Sequence, residues 1–139
     1  MPITYQLNPD ERLVILVHAG VVTDDEFMSF YEALFEDTRF DESFNLLVDL
    51  RRAESSVRSA AILNKFANFI RRQYESSTAA PKVAVVAPED ISFGLARMYE
   101  AFSKEVPWEF EVFRAIEAAL AWLGLSDNLM RDLDQDVQP

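Results

Sequence analysis

Apolar residues along this chain follow two rhythms. Ile3, Tyr5 and Leu7 alternate with Thr4 and Gln6, the period of a half-buried strand at a sheet edge. Asn8, Pro9, Asp10 and Glu11 make a turn signal. Leu13 to Val17 is a continuous branched run that resumes past His18, with Gly20 before Val21 and Val22. Such a run predicts a strand covered on both faces, paired antiparallel with the first. Thr23 followed by Glu26 has capping-box spacing, and Phe27, Phe30, Tyr31 and Leu34 recur at helical intervals. Phe44 to Leu50 predicts another central strand. A helix over 57–74 carries the stripe Ile62, Leu63, Phe66, Phe69 and Ile70.

Val83 to Val86 predicts a short buried strand. Pro88, Glu89 and Asp90 open a helix whose expected core stripe is Ile91, Leu95, Met98 and Phe102. Phe110 and Val112 alternate with Glu109 and Glu111, as an edge strand guarded by charge would. Ala115 to Leu123 is a last helix, stopped by Gly124. The order β-β-α-β-α-β-α-β-α predicts an α/β fold: one mostly parallel five-stranded sheet with an antiparallel first strand and right-handed crossovers. One domain over 1–125 is expected, with an acidic tail over 126–139.

Three stretches carry a resemblance: Val83 through Phe102, with its Phe-Gly-Leu-Ala-Arg-Met-Tyr run from Phe93 to Tyr99; Phe110 to Arg114; and Ala118 to Gly124. With the element order and Leu47 to Leu50 they resemble the bacterial SpoIIAA-like proteins, distant relatives of STAS domains of the anti-sigma-factor antagonist type. The resemblance implies a SpoIIAA/STAS-like fold and a binding or regulatory role without agreed catalytic residues. The related CRAL-TRIO lipid carriers imply a small apolar ligand as one possibility. Anti-sigma antagonists carry an Asp-Ser-Ser-Gly-type signature after the third strand, with a phosphorylated serine at a helix start. Here that stretch reads Arg51 to Ala60, with serines at 55, 56 and 59 but without the aspartate and glycine. Ser59 is nearest in spacing.

Charge and composition narrow the function further. The chain has 139 residues, 13 Lys+Arg and 24 Asp+Glu, a net charge of −11. That balance argues against nucleic acid or an anionic membrane as the main partner. No cysteine is present and His18 is the single histidine, so thiolate metal sites, a cysteine nucleophile and multi-histidine zinc sites are excluded. No cofactor or metal is expected. Three glycines write neither a phosphate loop nor a dinucleotide fingerprint. No signal peptide or apolar span of about 18 residues is visible, so a cytoplasmic protein without membrane insertion is expected.

A few residues remain as candidates. His18, in an apolar strand, reads first as a packed histidine with one hydrogen bond. Asp49 lies near the carboxyl end of a central strand, where open α/β sheets bind ligands. It reads as an ion pair with Arg51, Arg52 or Arg97, or as a binding carboxylate with Arg51. Ser92, Phe93 and Arg97 form a second ligand-binding set around a helix start. Gly94 inside that helix suggests a close approach. Residues 51–82 carry a net +5 within a chain that is −9 before and −7 after them. Arg58, Lys65 and Arg72 recur every seven residues there and make a candidate partner surface beside a solvated-flank reading. Ser59 is a weak phosphorylation candidate.

The expected function is a non-enzymatic binding or regulatory module. It is expected to act as a homodimer, since a sheet with helices on one face needs a second cover. The alternative is a small carrier or sensor of an apolar or amphiphilic anionic ligand, with eleven phenylalanines and four methionines available to line a pocket.

Overall fold

The computed structural model describes residues 2–54, 58–126 and 128–129. Nine elements follow the predicted order: β1 (Ile3–Asn8), β2 (Leu13–Val21), α1 (Asp24–Glu36), β3 (Asn45–Glu54), α2 (Ala60–Gln73), β4 (Lys82–Val86), α3 (Asp90–Phe102), β5 (Glu109–Phe113) and α4 (Ile116–Leu123). The sheet order is β1-β2-β3-β4-β5. Only the β1–β2 pairing is antiparallel, from Ile3 against His18 to Asn8 against Leu13; β2–β3, β3–β4 and β4–β5 are parallel.

Strands paired in chain order place right-handed crossovers on one face. The cores agree. Val14, Leu16, Leu46, Val48, Val83 and Val85 share a cluster with residues of α1, α2 and α3. The alternate positions Leu13, Ile15, Leu47, Ala84 and Val86 pack on the opposite face with Ile116, Ala119 and Leu120 of α4. The second cover expected from a twin subunit is thus supplied over these strands by the chain's own last helix.

Local signals explain the boundaries. Thr23 Oγ1 accepts from Glu26 N at 3.1 Å, and Glu26 Oε1 accepts from Thr23 N at 3.0 Å, closing the predicted capping box. Gly124 ends α4 in the left-handed region at φ 74°. β3 runs to Glu54, four residues beyond the predicted end. Its extension pairs Arg52, Ala53 and Glu54 with Ala19, Gly20 and Val21 of β2. Between these pairs and Val17–Asp49 the register shifts, and two β3 residues, Leu50 and Arg51, stand against His18 alone.

The largest departure is α3. Three residues of its expected core stripe face outward, Ile91 at 61% exposed, Met98 at 39% and Phe102 at 41%, while Leu95 is half-buried against the core. The helix buries Ser92, Ala96 and Tyr99 instead, followed by Ser103 at its end. Gly94 is also exposed, and a Cβ there would meet nothing within 4 Å. No close approach requires this glycine, contrary to expectation.

Candidate functional site

Small inward side chains on α3 leave space beneath it. Between the sheet and α1, α2 and α3 lies a cavity of about 100 Å³. Its walls are mostly apolar, with Phe27, Leu63, Phe66, Val48, Val85 and Ala96 among them. β3 outruns β4, whose pairing ends at Val86 against Asp49. Leu50, Ala53, Glu54 and Arg58 therefore border the cavity at the carboxyl end of the parallel strands, where open α/β sheets place ligands. Trp108 and Phe110 line its other end, beside the start of β5.

Polar groups punctuate this lining. His18 is 5% exposed, and its Nε2 lies 3.1 Å from Tyr31 Oη, the single bonded contact expected of a packed histidine. Burial, with the Arg58 guanidinium adding to it, pushes the His18 imidazole down to about 3, so it is neutral at physiological pH. Burial also raises the phenols of Tyr31 and Tyr99. Arg58 donates to Asp24 Oδ1 at 2.6 Å and to the Val22 carbonyl, and its guanidinium carbon lies 4.9 Å from the Phe27 ring centroid. Desolvation lowers the Arg58 guanidinium, partly offset by Asp24. It remains a cation at the cavity's border.

The candidates from the sequence are dispersed. Strand alternation sets Asp49, like Leu47, on the α4 face, away from the cavity. Asp49 is 2% exposed and paired with Arg51, whose Nε lies 3.0 Å from Oδ1 and whose Nη2 lies 2.9 Å from Oδ2. The Arg51 backbone N–H, within the bulge, also donates to Oδ1 at 3.0 Å. The carboxylate satisfies the irregular backbone and fits the ion-pair reading. Ser92 lines the cavity, but its hydroxyl donates to the Glu89 carbonyl at 3.2 Å. Phe93 is half-buried with Arg114 over its ring at 4.1 Å, and it is not among the lining residues. Arg97 is exposed and pairs with Glu100 at 2.9 Å, not with Asp49.

The basic set also separates. Lys65 and Arg72 lie exposed on α2. Arg58 precedes the N-cap and turns inward, so the three do not form one edge. Ser59 is that N-cap, its Oγ accepting from Ile62 N at 3.1 Å. Ser55 and Ser56 lie outside the described residues. Among the described residues no cluster of three His, Asp or Glu is arranged to hold a metal, and no helix is long and apolar enough to cross a membrane. Sequence reasoning passed over Tyr31, Tyr99 and Trp108. Their signal was chemical: aromatic rings with a polar tip, Tyr31 and Tyr99 on expected helices and Trp108 just before an expected strand.

The model of the SpoIIAA-like family matches residues 13–124, which takes in every element except β1. A solved structure from Shewanella loihica PV-4, an uncharacterised protein of the DUF3478 family with a SpoIIAA-like fold, is 18% identical. The alignment covers 87% of this chain and 91% of that one, with a TM-score of 0.55. No curated protein matches.

Proposed function

The chain belongs to the SpoIIAA-like family, and we propose that it is a non-enzymatic binding module that holds a small amphiphilic molecule in the cavity beneath α1, α2 and α3. The observation that carries this reading is the cavity itself: apolar walls, a few polar groups set into them, and a cationic arginine at the border. The states of those groups support binding over catalysis. His18 is neutral and bonded to Tyr31, the tyrosine phenols are raised out of the nucleophilic range, and Arg58 is anchored to Asp24. Arg58 favours an anionic or strongly polar end at the opening, with the apolar body inside.

Native mass spectrometry of gently purified protein tests this. The wild type is expected to retain a small-molecule adduct. Ala96→Leu, which fills the cavity with three more carbon atoms, is expected to lose it. An adduct retained equally by both, or a wild type carrying none, counts against the reading.

Homodimerisation is a second proposal, favoured by the outward stripe of Ile91, Met98 and Phe102. An antiparallel pairing of α3 with its copy would set Ile91 against Phe102. Sedimentation should then show a dimer that Phe102→Asp dissociates. A monomer at high micromolar concentration would remove this proposal.

A further inference from the structure

Residues lining the cavity carry buried polar atoms with no partner among the described residues. Tyr99 is 6% exposed, and its buried Oη has no hydrogen-bond partner among the described residues. The same holds for Trp108 Nε1, whose ring centroid lies 6.1 Å from that of Tyr99. Both residues line the cavity, and the ring of Tyr74, which has a third hydroxyl unpartnered among the described residues, lies tilted against Trp108 at 5.8 Å. Burying such groups without partners costs stability. Phenylalanine would avoid that cost. The chain uses it eleven times, and Phe66 and Phe110 flank Tyr99 with centroids at 5.3 Å each. Tyrosine and tryptophan here add donors where an apolar ring would pack.

The kind of complement follows from the chemistry. An indole N–H can only donate, so whatever satisfies Trp108 must accept. A phenol can donate alongside it. His18 and Tyr31 already engage each other, and Arg58 is committed at the opposite end. We infer that the molecule bound in this cavity carries an acceptor oxygen, a carbonyl or carboxyl group, held at the end beside β5 by Trp108 Nε1–H and Tyr99 Oη–H. The inference rests on the proposed binding function and adds the ligand's chemistry and orientation. A cavity of about 100 Å³ is smaller than the roughly 150 Å³ site that admits benzene, so the enclosed part of the ligand is about five heavy atoms or fewer.

Two isosteric probes separate the inference from the reading beneath it. Butan-2-one and 2-methylbut-1-ene share shape and heavy-atom count, but only the ketone has the acceptor. They are titrated into the full chain in sealed tubes while ¹H–¹⁵N NMR follows the two indole N–H signals, assigned with Trp108→Phe. The ketone is expected to shift the Trp108 indole signal and to bind about tenfold more tightly than the alkene. Tyr99→Phe should reduce ketone affinity several-fold, leave alkene affinity unchanged, and raise the melting temperature of the unliganded protein by removing an unpaired hydroxyl.

Equal binding of ketone and alkene, or a ketone affinity indifferent to Tyr99→Phe, overturns the acceptor inference and leaves the cavity reading standing. A lowered melting temperature for Tyr99→Phe also overturns it, because the hydroxyl would then have a partner inside the protein. Failure of both probes to bind at tens of millimolar overturns both.

Discussion

Acidification from pH 6.5 reaches His18 first, because carboxyl groups ordinarily take up their protons near pH 4. In the unfolded chain its imidazole takes a proton near the ordinary value of 6.5. In the folded protein, burial and then Arg58 hold it down to about 3. Between these values the unfolded state carries one more proton than the native state. Stability therefore rises with pH, and the contribution is complete above pH 6.5 and lost as pH falls toward 3. The slope is about 1.4 kcal/mol per pH unit, or about 2–3 kcal/mol across the window from 6.5 to 4.5. Against a typical total of about 5–15 kcal/mol, that is easily measured.

Urea denaturation at half-unit pH steps provides the assay. Glu26, Asp37 and Asp41 are also held below their ordinary values, by hydrogen bonds from Thr23, Arg39 and Ser43 respectively. Their contributions are present above the unfolded carboxylate range and fall away below it, beneath most of the window. His18→Phe keeps a ring against Phe27 and Tyr31, which lie at centroid distances of 6.2 and 6.1 Å, and removes the titration. The variant's curve should be less steep than the wild type's by about 1.4 kcal/mol per pH unit below pH 6.5, whatever its absolute stability. A flat wild-type curve, or a slope that His18→Phe leaves unchanged, refutes the argument.

Three further outcomes follow from individual contacts. Thr23→Ala removes the acceptor for Glu26 N and should cost about 1 kcal/mol in chemical denaturation; an unchanged midpoint would mean that the cap contributes nothing. Gly94→Ala should stabilise by about 0.5–1 kcal/mol, since the site is helical, exposed and open, and a lowered melting temperature would reveal an unseen constraint. Asp49→Asn leaves Arg51 facing a neutral amide and should cost about 2 kcal/mol while cavity binding is unchanged, because the pair sits on the other face of the sheet; altered ligand affinity would contradict that placement.

Most of the fold was legible because its elements are locally consistent. The β2 run Leu13–Leu16 is buried on both faces, the Thr23 box opens α1, and Gly124 closes α4. The end of β3 was not, because Arg51 to Glu54 is a polar stretch that becomes strand only by pairing with β2 past a bulge. Asp49 was legible as a buried charge needing a partner, but strand parity alone could not say that its face lies opposite the cavity. The candidate site was the least visible part. Its polar groups come from β2, α1, β3, the segment before α2, α3 and the segment before β5, and no local spacing joins them.

The reversal of α3 connects the cavity to the exposed surface. Amphipathic reasoning assumes that a helix turns its bulky apolar stripe toward the core, which is sound where the core must be filled. Here serine and alanine occupy the inward positions, and the hydroxyls of Ser92 and Ser103 avoid a desolvation cost by donating to the carbonyls of Glu89 and Glu100. Leu95 and Tyr99 are the bulky side chains of α3 that line the cavity, and space persists beside them. The side chains that could have filled it, Ile91, Met98 and Phe102, stand in solvent. A packing error would leave a void lined by hydrocarbon alone. This one retains Tyr99 and Trp108 donors on its wall, which packing leaves unexplained but which match an acceptor-bearing guest, with the Asp24-anchored Arg58 at its border.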